Sequence, residues 1–438
     1  MHDHPIIKTL PSHMTSLTPS ILLPDSLKLA QNMFEELRLQ GTDGIGITRL
    51  AYTEQENAAL GIIARHARQM GLDTASDAAG NLVISLRGKD ASLPALACGS
   101  HMDSVPQGGN YDGAAGVIAG IIALASLHAR GARPHRNLRV YALRGEESAA
   151  FGKPYLGSSA LFGRLGSADL ALRQHGSGRP LGECMRACGI NTTAIADGIC
   201  LLDPHTLAGW IELHIEQGPV LDTCDIPLGV VSAIRGNFRY PSITCMGESG
   251  HSGSTPPALR HDPVLAAADL LSTMEKHWQA HLRNGEDLVM TSGCIGTDAR
   301  THAIAKIADT VSFSFEARST SSGMLERFQS EFLAQCARIS AQRGVRFQMG
   351  HKDTTPPVQM DPQWEARLCT IMKAQGVGFM QLPSGAGHDA AVFAAMGVPS
   401  AMIFVRNQNG SHNPREAMRM DDFISGCETL TRMLINFM

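Results

Sequence analysis

Segments with the hydrophobic spacing of helices alternate with short apolar runs typical of strands along the first half of the chain. Apolar residues recur every three or four positions over 25–39, where Asp25 is a candidate N-cap, and again over 54–70, so both segments are predicted to be helices. A continuous apolar stretch at 114–127 predicts a third, buried helix. Short apolar runs predict strands at 82–86, 96–100, 138–143 and 210–215. This alternation predicts a largely parallel sheet with helices on both faces.

The pattern changes after Gly218. Half-solvated strands are predicted at 239–246, 311–316 and 346–349, and amphipathic helices at 262–277 and 324–342. Beyond Pro356 and Pro357 the first pattern returns, with a helix at 363–373, a glycine-rich turn at 384–387, a helix at 390–395 and a strand at 401–405. We therefore expect an α/β domain, residues 1–226 and 354–438, interrupted by a smaller α+β domain at 227–353. Residues 1–20 carry no such pattern and are expected to form a loose N-terminal arm.

Composition narrows the class of protein. The 438 residues are 43% hydrophobic and 18% charged, which is ordinary for a packed core. A net charge of −4 argues against a basic nucleic-acid binder or a polybasic membrane binder. The longest apolar stretch is shorter than the roughly 20 residues that a membrane span requires. The first residues lack the basic and apolar regions of a signal peptide, so we expect a cytoplasmic protein.

The ten cysteines are scattered and form no paired metal-binding motif. We expect them to be reduced and mostly buried. A cysteine nucleophile at Cys98 is a weak alternative, because an apolar strand should keep that thiol inert.

Polar residues that can bind metals follow several predicted strands, and ligand sites of open α/β sheets lie at those ends. His101 and Asp103 follow the strand at 96–100, and Asp112 precedes the apolar helix. Asp103 is placed to fix the tautomer of His101, and Asp112 to bridge two cations. Taken alone, Asp112 is as well explained as an N-cap.

Three further groups each have a simpler explanation as well. Glu146 and Glu147 follow the strand at 138–143, and an isolated pair of this kind is usually solvated. His214 lies within an apolar strand, where a buried, hydrogen-bonded histidine is the common case. His412 follows the strand at 401–405, and His388 follows a glycine-rich turn that suits an anion. Together, however, three histidines and two carboxylates predict zinc, manganese, cobalt or nickel at a two-metal site. This set consists of His101, Asp112, Glu147, His214 and His412.

The order of these motifs resembles the M20 metallopeptidase superfamily, and within it the hydantoinase/carbamoylase amidohydrolases. That branch includes N-carbamoyl-L-amino-acid hydrolases, β-ureidopropionase-like enzymes and allantoate amidohydrolases. The matching stretches are GSHMDSVPQGGNYDGAAGV, RGEESAAFG, ELHIEQGPVLD, GHSGSTPPALRHD, SGAGHDAAVFA and NGSHNPREAM. His214 favours the amidohydrolase branch, because peptidase relatives usually have an acidic ligand there.

The resemblance implies a zinc-peptidase-like catalytic domain, an inserted lid and dimerisation domain, and two divalent metal ions per subunit. One ion would be held by His101, Asp112 and His214, and the other by Asp112, Glu147 and His412. Asp103 would orient His101. Glu146 would act as general base toward a metal-bridging hydroxide that attacks an N-carbamoyl or ureido carbon.

Further implications concern partners and substrate. His251 would stabilise the oxyanion from the inserted domain of the partner subunit, so catalysis would need a homodimer. Gln217, Arg318 and His388 match positions that contact a small ureido or amide substrate. By their surroundings alone, His251 reads as a turn residue and Arg318 as a solvated arginine. A cis peptide bond is also expected between Asp112 and Gly113.

One stretch departs from the family. Ala305 and Ala308 stand where an Asn-x-x-Pro segment usually helps to hold the substrate carboxylate, and His302 is the nearby candidate to replace it. Recognition of an ordinary N-carbamoyl amino acid is therefore in question.

Two other functions stay open at this stage. The same metals would serve an M20-type peptidase or an N-acyl-amino-acid deacylase, which release no ammonia from peptide or acetyl substrates. A non-catalytic small-molecule-binding protein on this scaffold is less well supported, because the ligands and Glu146 are intact.

Overall fold

The computed structural model describes residues 19–301 and 303–436. Its strands are β1 Asp73–Ser76, β2 Leu82–Leu86, β3 Ala95–His101, β4 Leu138–Leu143, β5 Leu207–Ile215, β6 Leu228–Ile234, β7 Gly236–Met246, β8 Gly250–His251, β9 Val289–Thr291, β10 Ile295–Gly296, β11 Lys306–Ile307, β12 Thr310–Ser319, β13 Arg346–Met349, β14 Asp353–Thr355, β15 Val358–Gln359, β16 Phe379–Ser384, β17 Ser400–Val405, β18 Asn407–Gln408 and β19 Ala417–Met418.

The helices are α1 Ser26–Gly41, α2 Glu54–Gln69, α3 Ala114–Ala129, α4 Leu156–Leu161, α5 Ser167–Leu170, α6 Leu181–Ala187, α7 Thr193–Ala196, α8 Val220–Thr223, α9 Pro263–Arg283, α10 Ser322–Arg343, α11 Pro362–Gln375, α12 Asp389–Ala395 and α13 Met420–Ile435. Short 3₁₀ turns lie at Pro204–Thr206, Pro257–Leu259 and Ala299–Thr301.

The chain separates into two compact units, residues 1–232 with 360–438 and residues 233–359. The boundaries expected from the sequence lie six residues earlier in each case, at 227 and 354. Among the residues that the structure describes, none of the helices is long and apolar enough to cross a membrane.

The first unit is built on a mixed sheet with the strand order β1-β2-β4-β3-β5-β17-β6. Its centre is parallel, because β3 pairs with β4 and β5, and β5 pairs with β17, in that sense. Antiparallel strands complete both sides of this centre. The predicted α/β fold class is confirmed, and the parallel strands bring their carboxyl ends to one edge.

Helix α3 fills the middle of this unit. Every residue from Ala114 to Leu127 is buried, because the helix packs on the sheet at β3 and also against α1 and α13. A helix covered on all sides needs no polar face, which explains its uninterrupted apolar sequence. The longest strand and the longest helix of this unit that the sequence analysis did not predict are β6 and α13.

Two local expectations need comment. Asp25 precedes α1 as expected, but its side chain makes no capping hydrogen bond. Most of the expected N-terminal arm, residues 1–18, lies outside the described residues. Its last described position is tied down, since the Ser20 hydroxyl donates to Glu428 of α13 at 2.7 Å.

The second unit is an antiparallel sheet of strand order β10-β12-β7-β13, on which α9 and α10 pack. Its core is separate and rich in phenylalanine, with Phe315 and Phe332 stacked at 4.1 Å between ring centres. A two-stranded antiparallel ribbon of β8 and β11 belongs to the same unit.

Candidate active site

His101 and Asp112 are brought together by a turn that requires glycine. His101 ends β3, and Asp112 lies just before α3. Gly113 between Asp112 and the helix has a φ of 65°, and a Cβ there would lie 2.5 Å from the carbonyl oxygen of His101. Because glycine makes this turn with a trans peptide, the expected cis bond at Asp112–Gly113 is wrong.

Three histidines surround the carboxylate of Asp112. The Nε2 atoms of His101 and His214 lie 3.5 and 3.1 Å from its Oδ1 atom. The Nε2 atom of His412 lies 3.3 Å from Oδ2 and 3.1 Å from Oε1 of Glu147. The five predicted ligands thus form two groups that share Asp112, with the same division that the resemblance implies.

The surroundings of the imidazole rings orient their Nε2 atoms toward Asp112. Nδ1 of His101 lies 3.0 Å from the carbonyl oxygen of Asp103, and Nδ1 of His214 lies 2.8 Å from that of Ile215. A carbonyl only accepts, so each Nδ1 carries a proton and, in the neutral ring, each Nε2 has a free lone pair.

These acceptor atoms fit divalent cations. The two Nε2 atoms of His101 and His214 lie 3.4 Å apart, and Oδ1 of Asp112 and Oε1 of Glu147 are buried without a hydrogen-bond donor among the described residues. Imidazole nitrogens and carboxylate oxygens in such a group are typical ligands of zinc, manganese, cobalt or nickel. Buried acceptors that lack donors are costly unless a cation satisfies them.

Two residues at the site have strained backbones. Gln217 and His412 have φ angles of 63° and 58°, which non-glycine residues rarely adopt. Gln217 donates from Nε2 to Oδ2 of Asp112 at 2.9 Å and lies 3.4 Å from His412. Strain of this kind concentrates at functional sites. Gln217, which was expected to contact the substrate, thus also contacts the predicted ligands Asp112 and His412.

Asp103 was expected to orient His101, but its carboxylate mainly binds the backbone of the loop that carries Glu146 and Glu147. Its carboxylate lies 3.5 Å from Nδ1 of His101, whereas its own carbonyl oxygen is the nearer acceptor at 3.0 Å. The two carboxylate oxygens instead accept the backbone N–H groups of Glu146 and Glu147, at 3.0 and 3.1 Å. Asp103 therefore fixes the loop that carries both glutamates.

Glu146 is buried beside the predicted ligands. Its carboxylate lies within 4.8 Å of ligand atoms of His101 and Glu147. Burial raises the pKa of Glu146 well above its usual range, and Glu147 and Asp389 raise it further. A raised pKa suits a carboxyl group that both takes and returns a proton near neutral pH.

The loop that carries Glu146 and Glu147 is also held by buried residues that were not predicted from the sequence. Arg144 is buried and its Nη2 lies 2.5 Å from the carboxylate of Glu56, which is fully buried on α2. The guanidinium also stacks on Tyr52 at 4.9 Å and donates to Asn57 at 2.6 Å. A buried ion pair with hydrogen bonds on several sides holds Arg144 rigidly two positions before Glu146.

Glu416 is a second missed residue. It accepts the backbone N–H groups of Tyr111 and Asp112 at 2.8 and 3.3 Å and the hydroxyl of Ser411 at 2.5 Å. The Oγ atom of Ser411 also lies 2.8 Å from Oδ2 of Asp112, so its single proton is shared between two carboxylates and Glu416 links the loop of His412 to Asp112. Its place in the NGSHNPREAM motif was the available signal.

His388 lies beside the predicted ligands in the same unit. Its ring contacts that of His214 with 4.5 Å between centres, and its Nε2 lies 2.8 Å from the hydroxyl of Ser384. Burial and the neighbouring His214 lower the pKa of His388 well below the usual range, which favours the neutral ring.

His251 and Arg318 belong to the second unit. His251 is exposed on β8, and its Nδ1 accepts the N–H of Gly253 at 3.2 Å. That bond leaves the ring proton of a neutral His251 on Nε2. Arg318 on β12 pairs with Glu316 at 3.1 Å. The alternative candidate His302 lies outside the described residues.

This chain is similar to known proteins over most of its length. The sequence model of peptidase family M20/M25/M40 matches residues 97–436. An N-carbamoyl-L-amino acid amidohydrolase of Geobacillus stearothermophilus is 32% identical over 393 residues, which cover 88% of this chain and 92% of that protein. Allantoate amidohydrolase of Escherichia coli is 31% identical over 391 residues, covering 89% and 92%.

A solved structure of a hydantoinase/carbamoylase family amidase from Burkholderia multivorans superimposes with a TM-score of 0.87. It is 27% identical, and the match covers 96% of this chain and 99% of that one. The match to the family model over residues 97–436, together with these relatives, shows that this chain belongs to peptidase family M20.

Proposed function

We propose that this chain is a metal-dependent amidohydrolase that cleaves a linear C–N bond of an N-carbamoyl amino acid or a related ureido compound. The observation that carries the proposal is the sharing of Asp112 between two groups of ligands, with buried Glu146 beside them. Relatives named for hydrolysis of N-carbamoyl amino acids and allantoate support this type of bond.

Two divalent ions per subunit would be held by the five predicted ligands, His101, Asp112, Glu147, His214 and His412. When bound, such ions polarise a carbonyl oxygen and make water more acidic. Glu146 then accepts the proton of the attacking water as the C–O bond forms, and returns it to the leaving nitrogen as the C–N bond breaks. Asp103 keeps Glu146 in place through the backbone of the loop.

The proposal includes a homodimer. The partner subunit's His251 would donate from Nε2 to the developing oxyanion, since its Nδ1 is already occupied by a backbone N–H. Gln217, His388 and Arg318 would contact the substrate. Location in the cytoplasm stays a prediction.

Release of ammonia tests the function. Purified protein supplied with manganese or zinc is given N-carbamoyl-L-amino acids, N-carbamoyl-β-alanine and allantoate, with N-acetyl amino acids and dipeptides as controls. We expect ammonia from at least one ureido compound, and a loss of about 10²–10⁴-fold in Glu146→Gln. The exposed Glu183→Gln variant serves as the matched control. Free amine from acetyl or peptide compounds alone would indicate a deacylase or peptidase instead.

A further inference from the structure

The β8–β11 ribbon places a lysine directly opposite His251. In its register Lys306 pairs with His251, and Ile307 pairs with Gly250. The N–H of Ser252 donates to the carbonyl of Ala305 at 2.9 Å, so the His251–Lys306 pair is the one without backbone hydrogen bonds. Side chains of such a pair share one face, with Cα atoms only about 4.5 Å apart.

The two faces of the ribbon differ. Ile307 is buried, and side chains of adjacent residues in a strand point to opposite faces. Lys306 therefore lies on the outer face with exposed His251. Among the residues that the structure describes, its ammonium group makes one long hydrogen bond, 3.5 Å to the carbonyl of Thr301, which leaves donors available.

A basic pair of this kind suits a carboxylate. Ala305, in the place of the usual asparagine, offers only a methyl group. Arg318 already shares the carboxylate of Glu316 with Arg239, at 3.1 and 2.9 Å. Lys306 has no acidic partner within 4 Å among the described residues, so its charge is available to an anionic ligand.

We propose that Lys306, beside His251 on the outer face of the β8–β11 ribbon, binds the carboxylate of the substrate and makes the enzyme selective for anionic ureido compounds. This inference rests on the proposed function. An ammonium is a compact charge with three rotatable donors, so it can donate to carboxylates at more distances and angles than a planar amide can. The enzyme would then depend on substrate charge more than on one fixed carboxylate geometry.

The test compares a charged and an uncharged substrate. N-carbamoyl-L-alanine and N-carbamoyl-β-alanine are each assayed beside the corresponding primary amide, in which the carboxylate is replaced. We expect Lys306→Met to raise KM for the acids roughly tenfold or more, with kcat changed little and the amides unaffected. Lys306→Arg should keep most of the affinity. Lys352→Met is the matched control, since Lys352 is an exposed lysine of the same unit that also makes one 3.5 Å hydrogen bond.

Binding provides a readout that is independent of turnover. In the Glu146→Gln background, calorimetry should show the same loss of affinity for the acids when Lys306→Met is added. An unchanged KM and Kd, or equal losses for acid and amide, would overturn the role of Lys306 while ammonia release by the wild type kept the proposed function intact. If the wild type cleaves no ureido compound at all, both proposals fail together.

Discussion

Oδ1 of Asp103 accepts the backbone N–H of Glu146 at 3.0 Å, and Oδ2 accepts that of Glu147 at 3.1 Å. One carboxylate therefore positions the candidate general base and a candidate ligand through their main chain. Both partners are buried, so the geometry is protected from competing water.

Asp103→Asn tests this arrangement. The amide group keeps one acceptor oxygen but points an N–H₂ group at the other backbone donor, which leaves a buried N–H unsatisfied. We expect the free energy of unfolding to fall by about 1–3 kcal/mol and ammonia release to fall at least roughly tenfold. Denaturant unfolding and the ammonia assay measure the two effects. Asp90→Asn is the control, because exposed Asp90 accepts local hydrogen bonds from Ser92, two positions along the chain. Equal behaviour of both variants would contradict the role of Asp103.

Arg144→Met should destabilise the protein strongly. The variant leaves Glu56 charged and buried without its guanidinium partner, and breaking a buried pair costs about 3–5 kcal/mol. Adding Glu56→Gln should recover part of that loss, because the buried charge is removed. Denaturant unfolding of the two single variants and the double variant measures the coupling. Independent, additive losses would show that the pair does not act as a unit, and Arg87→Met, at an exposed ion pair, should change stability little.

The grouping of the candidate ligands could be predicted from the sequence, because the sheet topology enforces it. His101 is the last residue of β3 and His214 the last but one of β5, and Glu147 and His412 follow β4 and β17. These four strands are neighbours in the order β4-β3-β5-β17, and all three pairs are parallel, so their carboxyl ends lie at one edge of the sheet. The periodicity that predicted the strands therefore also predicted that these polar residues would lie near one another. Their division into two ligand groups was implied by the family resemblance.

The supporting contacts could not be predicted in the same way. Arg144 and Glu56 are 88 residues apart, and Glu416 and Tyr111 are 305 apart. The helical periodicity of α2 does not predict that the carboxylate of Glu56 is buried, because the inward-facing positions of most amphipathic helices are apolar. The cis bond was expected wrongly for a similar reason: the conformation of one turn depends on contacts that only the folded chain supplies.

Metal stoichiometry should follow the two ligand groups. Wild-type protein dialysed with zinc should retain about two ions per chain, His412→Ala about one, and Asp112→Asn close to none, because Asp112 alone belongs to both groups. Elemental analysis by mass spectrometry measures the bound metal. His175→Ala, at an exposed histidine of the same unit, should retain the wild-type amount. One ion in the wild type, lost in both ligand variants, would contradict the two-metal site.

Glu365 should make the free energy of unfolding of this protein depend on pH. Partial burial on α11 raises its pKa to about 7. A carboxyl group whose folded pKa is raised contributes stability below its unfolded pKa and loses it as the pH rises through the folded value. Glu365→Gln should therefore gain in melting temperature relative to the wild type between about pH 5 and pH 8. Thermal unfolding across that range measures the gain, and a difference that stays constant with pH would exclude it.

Mixing two inactive variants tests whether His251 acts on the partner's site. If it does, a dimer of one Glu146→Gln chain and one His251→Ala chain contains one site with both functional groups, because the intact Glu146 meets the partner's intact His251. Random exchange makes about half of the dimers mixed, so activity should recover to about a quarter of the wild-type value. Ammonia release after subunit exchange measures it. With His251 acting within its own chain every site would lack one group, and no activity would return however long the exchange ran.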